Sequence, residues 1–460
     1  MLAPIAVGGG SVTVPADSAA KYQSGFDGEF WCRVVGTLVA VAIAAGFVSP
    51  RTIPYSLPIV TISLLVFGRV YGGRWSLRPQ LGAVEWTMVG LLAYATLSAA
   101  WAFRPSGTIV PLITAFGFLY AYLVIAQTVF TSDRELSRRI AEGLWIGLLV
   151  GLVYLGFEIL TNQAVKLNLY RALDIPKSWL RPARDFMWEN GVLVSIAPTD
   201  LTRNIAPVTL LIWPALLVID KLVRPDAARI LRWVLILTAV VVVMKSEHET
   251  SKVGLVVGAG IYAFSRYNQW LCNVTLQLLW VAACLAVVPV TLALYNYDLQ
   301  QAHWLQDTLR HRIVIWHHTS EETMKSPVIG IGAGMMYQID PAGEKAVTAR
   351  TLSADQEFDP VAPHAHNIYL QSWFELGAVG AALLTLFGLA VLERIRSWPM
   401  RVTPYAHATF ASVMCMTAAS YGMWQPWFIS MFATGAAMFA VVLRLYVEQP
   451  PEADVQPPAT

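Results

Sequence analysis

The chain has 460 residues, 56% of them hydrophobic and 13% charged, with a formal net charge of +2. A soluble domain carries about 25% charged residues, so this composition excludes an ordinary soluble globule and specifies a polytopic membrane protein. No basic run points to nucleic acid, and Cys32, Cys272, Cys284 and Cys415 sit in or beside apolar segments without disulfide or metal spacing.

Residues 1–30 are small and polar with a single Lys21, and lack the basic and apolar regions of a signal peptide. They read as a loose cytoplasmic tail. A membrane span needs roughly 20 mostly apolar residues. Twelve such segments follow, near 33–49, 53–71, 81–103, 107–130, 139–161, 204–221, 229–245, 252–266, 270–295, 366–392, 403–422 and 425–446. Spans one to nine occupy 31–295 and spans ten to twelve occupy 366–446. Two long polar segments interrupt them, at 162–203 and 296–365, and a Pro-rich tail at 447–460 reads as disordered. The expected fold is all-α, with about twelve transmembrane helices.

The positive-inside rule orients these spans. Loops after even-numbered spans carry Arg69, Arg74 and Arg78, then Arg134, Arg138 and Arg139, then Lys221, Arg224 and Arg229, then Arg266, then Arg394, Arg396 and Arg401. Short loops after odd-numbered spans are poorer in cations. Both termini are therefore expected in the cytoplasm, which places both long polar segments and the Lys245–Lys252 turn on the outer side. Long loops report orientation weakly, so the cations of 162–203 do not overturn this topology; they suggest an anionic partner.

Four polar clusters gather at that outer face. Arg203 and Asn204 open the sixth span, where a guanidinium can face a phosphate bidentately or simply snorkel to the interface. Ser251 and Lys252 open the eighth span, whose free N–H groups favour an anion. Glu247, His248 and Glu249 just before them are too close together to chelate a metal well, and a solvated turn is the plainer reading. Arg310, His311, Arg312 and Trp316 form the third cluster. Arg312 and Trp316 share a helix face at i, i+4, and the segment reads as amphipathic, lying at the interface with Trp304 and Trp316 as anchors. The Gly330–Gly334 stretch after it lacks the Lys-Ser/Thr of a nucleotide loop and reads as a tight re-entrant turn. The acidic run Asp355–Asp359 is a solvated stretch or, at low prior, a cation site.

The fourth cluster is the most informative: Pro363, His364, Ala365, His366 and Asn367, at the start of an apolar helix that continues through Glu375, Gly377 and Gly380. A histidine at a helix N-terminus can be held neutral and serve as general base toward a sugar hydroxyl. Gly377 and Gly380 suit close packing. Glu375, about 13 Å into the helix at 1.5 Å per residue, is expected to face protein or a cavity, or to pair with an internal arginine.

His366-Asn367, nine residues, Gly377, two residues, Gly380 resembles the signature of the O-antigen ligase and O-antigen polymerase superfamily. Arg312 with Trp316, Pro327, the Gly330/Gly332 turn, Arg203-Asn204 and Ser251-Lys252 are similar to its other features in the same order, over roughly 200–392. Two positions depart from the pattern. Trp316 stands where many ligases have Leu, and Lys252 where many have Arg, which keeps the charge but gives up bidentate recognition.

The resemblance implies a multi-span, GT-C-like glycosyltransferase of the bacterial inner membrane, working at its periplasmic face without metal, nucleotide or other cofactor. Its donor would be a glycan on undecaprenyl pyrophosphate. Its acceptor would be a sugar hydroxyl of lipid A core in a ligase, or of a second lipid-linked glycan in a polymerase. His366 and Arg312 would be catalytic, with Arg203, Lys252, Ser251, His364, Asn367 and Arg310 binding substrate and Asn367 or His364 orienting His366. The rival class is a lipid-linked glycan flippase, whose ionisable groups belong near the midplane rather than at one face.

Overall fold

The computed structural model describes residues 25–67, 80–180, 185–339 and 362–447. The acidic run at 355–359 and the basic residues at 69–78 lie outside them, as do most of both terminal tails. Fifteen α-helices make up the described chain almost entirely. They are α1 (Gly25–Val48), α2 (Ile53–Phe67), α3 (Ala83–Leu97), α4 (Pro105–Thr131), α5 (Arg134–Leu160), α6 (Ala164–Ala172), α7 (Thr202–Leu222), α8 (Pro225–Lys245), α9 (Glu249–Tyr267), α10 (Gln269–Asn296), α11 (Asp307–Thr323), α12 (Met335–Ile339), α13 (Ile368–Arg396), α14 (Thr403–Ala419) and α15 (Pro426–Tyr446).

Among the described residues nine helices are long and apolar enough to cross a membrane. The other three expected spans are also helical, as α2, α9 and α14, of 15, 19 and 17 residues. Several helices begin at a proline or an asparagine cap. Proline opens α4, α8 and α15, where its missing N–H costs nothing. Asn268 and Asn367 cap α10 and α13 by accepting the amides of Leu271 and Leu370.

Helix α7 is the axis of the bundle: every residue from Asn204 to Ile219 is buried. Around it the helices approach through small residues, because lipid gives apolar side chains little reason to associate and close packing must supply the attraction. Gly143, Gly147 and Gly151 recur at i, i+4, i+8 along α5. A β-carbon at each would fall 2.2, 2.5 and 2.1 Å from Gly36, Ala40 and Phe47 of α1. Gly258 of α9 admits Ser412 of α14, and Gly388 of α13 admits the Trp280 indole of α10.

Long-range hydrogen bonds gather the turns into two opposite ends. At one end, Asn204 donates to the Phe47 carbonyl over 2.7 Å, Arg104 reaches Gln338, and the Thr250 and Ser420 hydroxyls meet. At the other, Arg139 pairs with Glu29 and Glu135, Asp220 holds Arg232 and Tyr405, and Arg134 donates to the Leu445 carbonyl.

One element departs from the all-α expectation. Within 162–203, β1 (Phe186–Glu189) and β2 (Val192–Ile196) form an antiparallel hairpin, joined by Asn190 and Gly191 at φ +48° and +80°, the two positive dihedrals that a tight two-residue turn demands. With Leu180 it closes a small apolar cluster of its own. Two of this segment's cations are engaged within the protein. Lys166 is buried against Asp200, and Arg171 donates to the Leu193 and Val194 carbonyls.

Candidate active site at one end of the bundle

The loop before α13 is held from three sides. Asn367 caps the helix, and Trp316 of α11 donates its indole N–H to the Ala365 carbonyl over 2.8 Å. The third support is Ser420, on the turn between α14 and α15, whose carbonyl lies 2.6 Å from His366 Nδ1. His366 itself has φ +53°, a left-handed conformation costing about 1–3 kcal/mol outside glycine. Such strain persists only where surrounding contacts over-determine it, as these three do.

These contacts fix the chemistry of the ring. A carbonyl oxygen only accepts, so Nδ1 carries the hydrogen and Nε2 of the neutral imidazole keeps its lone pair. Burial, the neighbouring His364 and Arg312 hold the pKa of His366 well below its usual value of 6.5. His364 packs edge-on at 4.0 Å between ring centroids, its Nδ1 buried without a hydrogen-bond partner among the described residues. Burial, with Arg203 and Arg312 adding to it, lowers its pKa to about 4. Both rings are neutral at pH 7.

Arg203, at the start of α7, and Arg312, on α11, act electrostatically on this loop from two sides. Neither forms an ion pair among the described residues. Arg203 is solvent-exposed, whereas Arg312 is partly buried and its pKa is lowered by that burial. Two guanidiniums without a carboxylate among the described residues, beside two neutral histidines, make a positive site suited to an anion.

The remaining candidates have other partners. Lys252 forms a 2.7 Å ion pair with Glu249. Ser251 is fully buried against His248 Nδ1 at 2.6 Å. Arg310 is buried, donating to the Gln300 carbonyl and pairing with Asp307 at 3.0 Å, so it braces the start of α11. The oxygen of Asn367 is committed to its cap. Trp304 is 79% exposed, but Trp316 is only 7% exposed, which corrects its reading as an interfacial anchor: its indole is drawn inward by the Ala365 carbonyl. His248 is likewise buried rather than part of a solvated turn, in contact with Ser251, Thr250 and Tyr421. Sequence reading passed over Ser420 and Tyr421 because they lie on an uncharged turn, where counting cations gives no signal.

Beneath the loop, α13 is broken. Gly377 has φ +66° and ψ −163° inside the helix, and the 327–332 strand of backbone inserts at the break. Ile331 and Gly332 N–H donate to the Phe374 and Glu375 carbonyls, and Ala378 N–H donates to Pro327. A β-carbon on Gly377 or Gly330 would lie 2.3 Å from the opposing backbone. The Gly330 turn is tight, as expected, and Gly377 packs against its backbone rather than against a neighbouring helix. Glu375, fully buried, accepts hydrogen bonds from the Gly334 and Met336 amides, Gln371 and Trp424. Four neutral donors satisfy it in place of an arginine.

Among the described residues no group of three or more His, Cys, Asp or Glu side chains could hold a metal ion. Residues 233–385 match the family model described as O-antigen ligase; the match runs from α8 into α13 and includes Arg312, His364, His366 and Gly377. The chain is also similar to proteins provisionally named polysaccharide ligases. One from Rickettsia conorii is 23% identical over 256 residues, covering 52% of this chain and 58% of that one. Another, from Rickettsia prowazekii, is 22% identical over 233 residues, covering 50% and 55%. The chain thus spans a little over half the length of the curated relatives it matches. The family match falls on the helices that carry the histidine loop and Arg312, and over that part of its length this chain is similar to the O-antigen ligase superfamily.

Proposed function

We propose that this protein is an O-antigen ligase-like glycosyltransferase. It moves a glycan from undecaprenyl pyrophosphate to a sugar hydroxyl of lipid A core, at the periplasmic face of the inner membrane. The observation that carries this reading is His366. Its Nδ1–H is committed to the Ser420 carbonyl, leaving a neutral Nε2 as base beside Arg203 and Arg312.

In the proposed step the acceptor hydroxyl oxygen attacks the anomeric carbon of the donor and gives its proton to His366 Nε2. The bond from that carbon to the phosphate oxygen breaks, and its electron pair leaves on the lipid diphosphate. The anomeric configuration inverts. The leaving group needs no proton, because Arg203 and Arg312 balance the charge that develops on it. Lys252, Ser251, Arg310 and Asn367 support this end of the bundle through the contacts described above, and Lys252 can exchange Glu249 for a substrate phosphate.

Lipopolysaccharide from a deletion strain, separated on a gel, tests the proposal. Free core with lipid-linked polymer retained, and restoration by the wild-type gene but not by the His366→Ala variant, is the expected result. A core bearing a single repeat would identify a polymerase using the same donor. Donor trapped on the cytoplasmic leaflet would identify a flippase. Full-length glycan on the core of cells expressing only His366→Ala would overturn the assignment of the base.

A further inference from the structure

Behind the histidine loop lies a second group of side chains that the proposed chemistry does not use. Tyr421 is 8% exposed, its ring edge-on to Trp427 at 4.5 Å and tilted against His248 at 5.5 Å. Its hydroxyl lies 3.1 Å from His248 Nε2. That nitrogen is also 3.0 Å from the Thr250 hydroxyl, which meets the Ser420 hydroxyl. On the other side of the ring, His248 Nδ1 is 2.6 Å from Ser251 Oγ. Three segments of the chain thus converge: the α8–α9 turn, the first turn of α9 and the α14–α15 turn that also supplies the carbonyl to His366. Arg203 and Arg312 both act on the Tyr421 hydroxyl, and Arg312 acts on His248.

From this arrangement, and resting on the donor chemistry proposed above, we infer that Tyr421 is a diphosphate-binding residue and His248 its positioning residue. The Tyr421 hydroxyl donates a hydrogen bond to a phosphate oxygen held by Arg203 and Arg312. A neutral imidazole carries one N–H. With that hydrogen on Nε2, His248 donates to the phenolic oxygen, Ser251 donates into Nδ1, and the phenolic hydrogen, otherwise shared with the Thr202 hydroxyl, turns to the anion. Burial and the Arg312 charge lower the His248 pKa to about 3, so the ring stays neutral. Burial pushes the phenol up to about 12, against the opposing pull of Arg203, the Thr202 hydroxyl and Arg312, so the phenol keeps its proton to donate. Tyr421 also adjoins Ser420 on the α14–α15 turn, so the hydroxyl that meets the anion and the carbonyl that orients the base sit on one segment.

Binding of farnesyl diphosphate to the purified full chain in detergent micelles tests this, with farnesol as the uncharged control. Tyr421→Phe should weaken diphosphate binding about tenfold, as expected for one hydrogen bond to a charged group, and leave farnesol binding unchanged. His248→Ala should weaken it equally, and His248→Gln, which can still donate to the phenol, should remain within about threefold of wild type. Because the two side chains act through one contact, the His248→Ala/Tyr421→Phe double variant should bind no worse than either single variant.

Wild-type affinity in Tyr421→Phe would overturn the inference, as would losses that multiply in the double variant. A lowered unfolding temperature in Tyr421→Phe moves the decision to the His248→Gln and His248→Ala comparison, where equal losses overturn it. An Arg203→Ala/Arg312→Ala variant separates the two levels. Undiminished diphosphate binding there defeats the donor reading itself, whereas loss there with wild-type binding in Tyr421→Phe defeats only the role of the pair.

Discussion

The indole of Trp316 donates to the carbonyl of Ala365, the residue between His364 and His366. One hydrogen bond therefore links the helix that carries Arg312 to the loop that carries both histidines. Arg312 lies one helical turn before Trp316 on the same face of α11, so its position relative to His366 is set through this contact.

Trp316→Phe tests that link. It keeps most of the buried ring but leaves the Ala365 carbonyl without its donor, a cost of about 1–3 kcal/mol. The fold should survive. Glycan transfer should fall about tenfold to a hundredfold, since small displacements of reacting groups are costly. Activity of the purified variant beside its unfolding temperature checks this; full activity would show that α11 and the loop are positioned independently.

The break in α13 makes a sharper demand on a single residue. At φ +66° and ψ −163°, Gly377 occupies a region that is essentially closed to other residues. Its Cβ would also meet the Val328 backbone at 2.3 Å. Gly377→Ala should cost about 3 kcal/mol or more, and reduce the yield of folded protein. Gly117→Ala is the comparison, because a Cβ there meets nothing within 4 Å and alanine suits a helix interior. Equal unfolding temperatures for the two variants would show that the 327–332 backbone does not need the break.

The sequence displayed the scaffold more fully than the site. All twelve apolar segments are helices, because some 20 apolar residues in lipid can satisfy their backbone in few other ways. His366 stood out as a candidate from its place at a helix start, beside Asn367. What orients its ring was not legible, since Ser420 acts through a main-chain carbonyl that any residue possesses. The hairpin had a local signal, Asn190-Gly191 between alternating apolar residues, but it lay inside a segment whose cations dominated the reading. His248 was open to misreading for a different reason. Two flanking glutamates make it look solvated, and only the α14–α15 turn, some 170 residues later, buries it.

The pH dependence of transfer follows from how His366 is held. Its neutral form is the proposed base, and its pKa is pulled well below 6.5 by burial, His364 and Arg312. The rate should therefore stay level from about pH 8 down past 6.5, where an ordinary histidine would already be half protonated, and fall only below that. Removing the cation in Arg312→Gln should move this acid limb upward in pH, toward the ordinary value, while lowering the plateau about a hundredfold or more. A pH–rate profile of both proteins measures it. A limb at or above 6.5 in wild type would contradict the neutral, sequestered ring.

The carbonyl that fixes the His366 tautomer belongs to Ser420, and the hydroxyl beside His248 belongs to Tyr421. Both lie on the turn into α15, the last helix described. A ribosome making this chain delivers Arg203, Arg312 and His366 before Ser420 and Tyr421. On the proposed chemistry, a chain made only as far as α14 would hold Arg203, Arg312 and His366 without the carbonyl that sets the His366 ring.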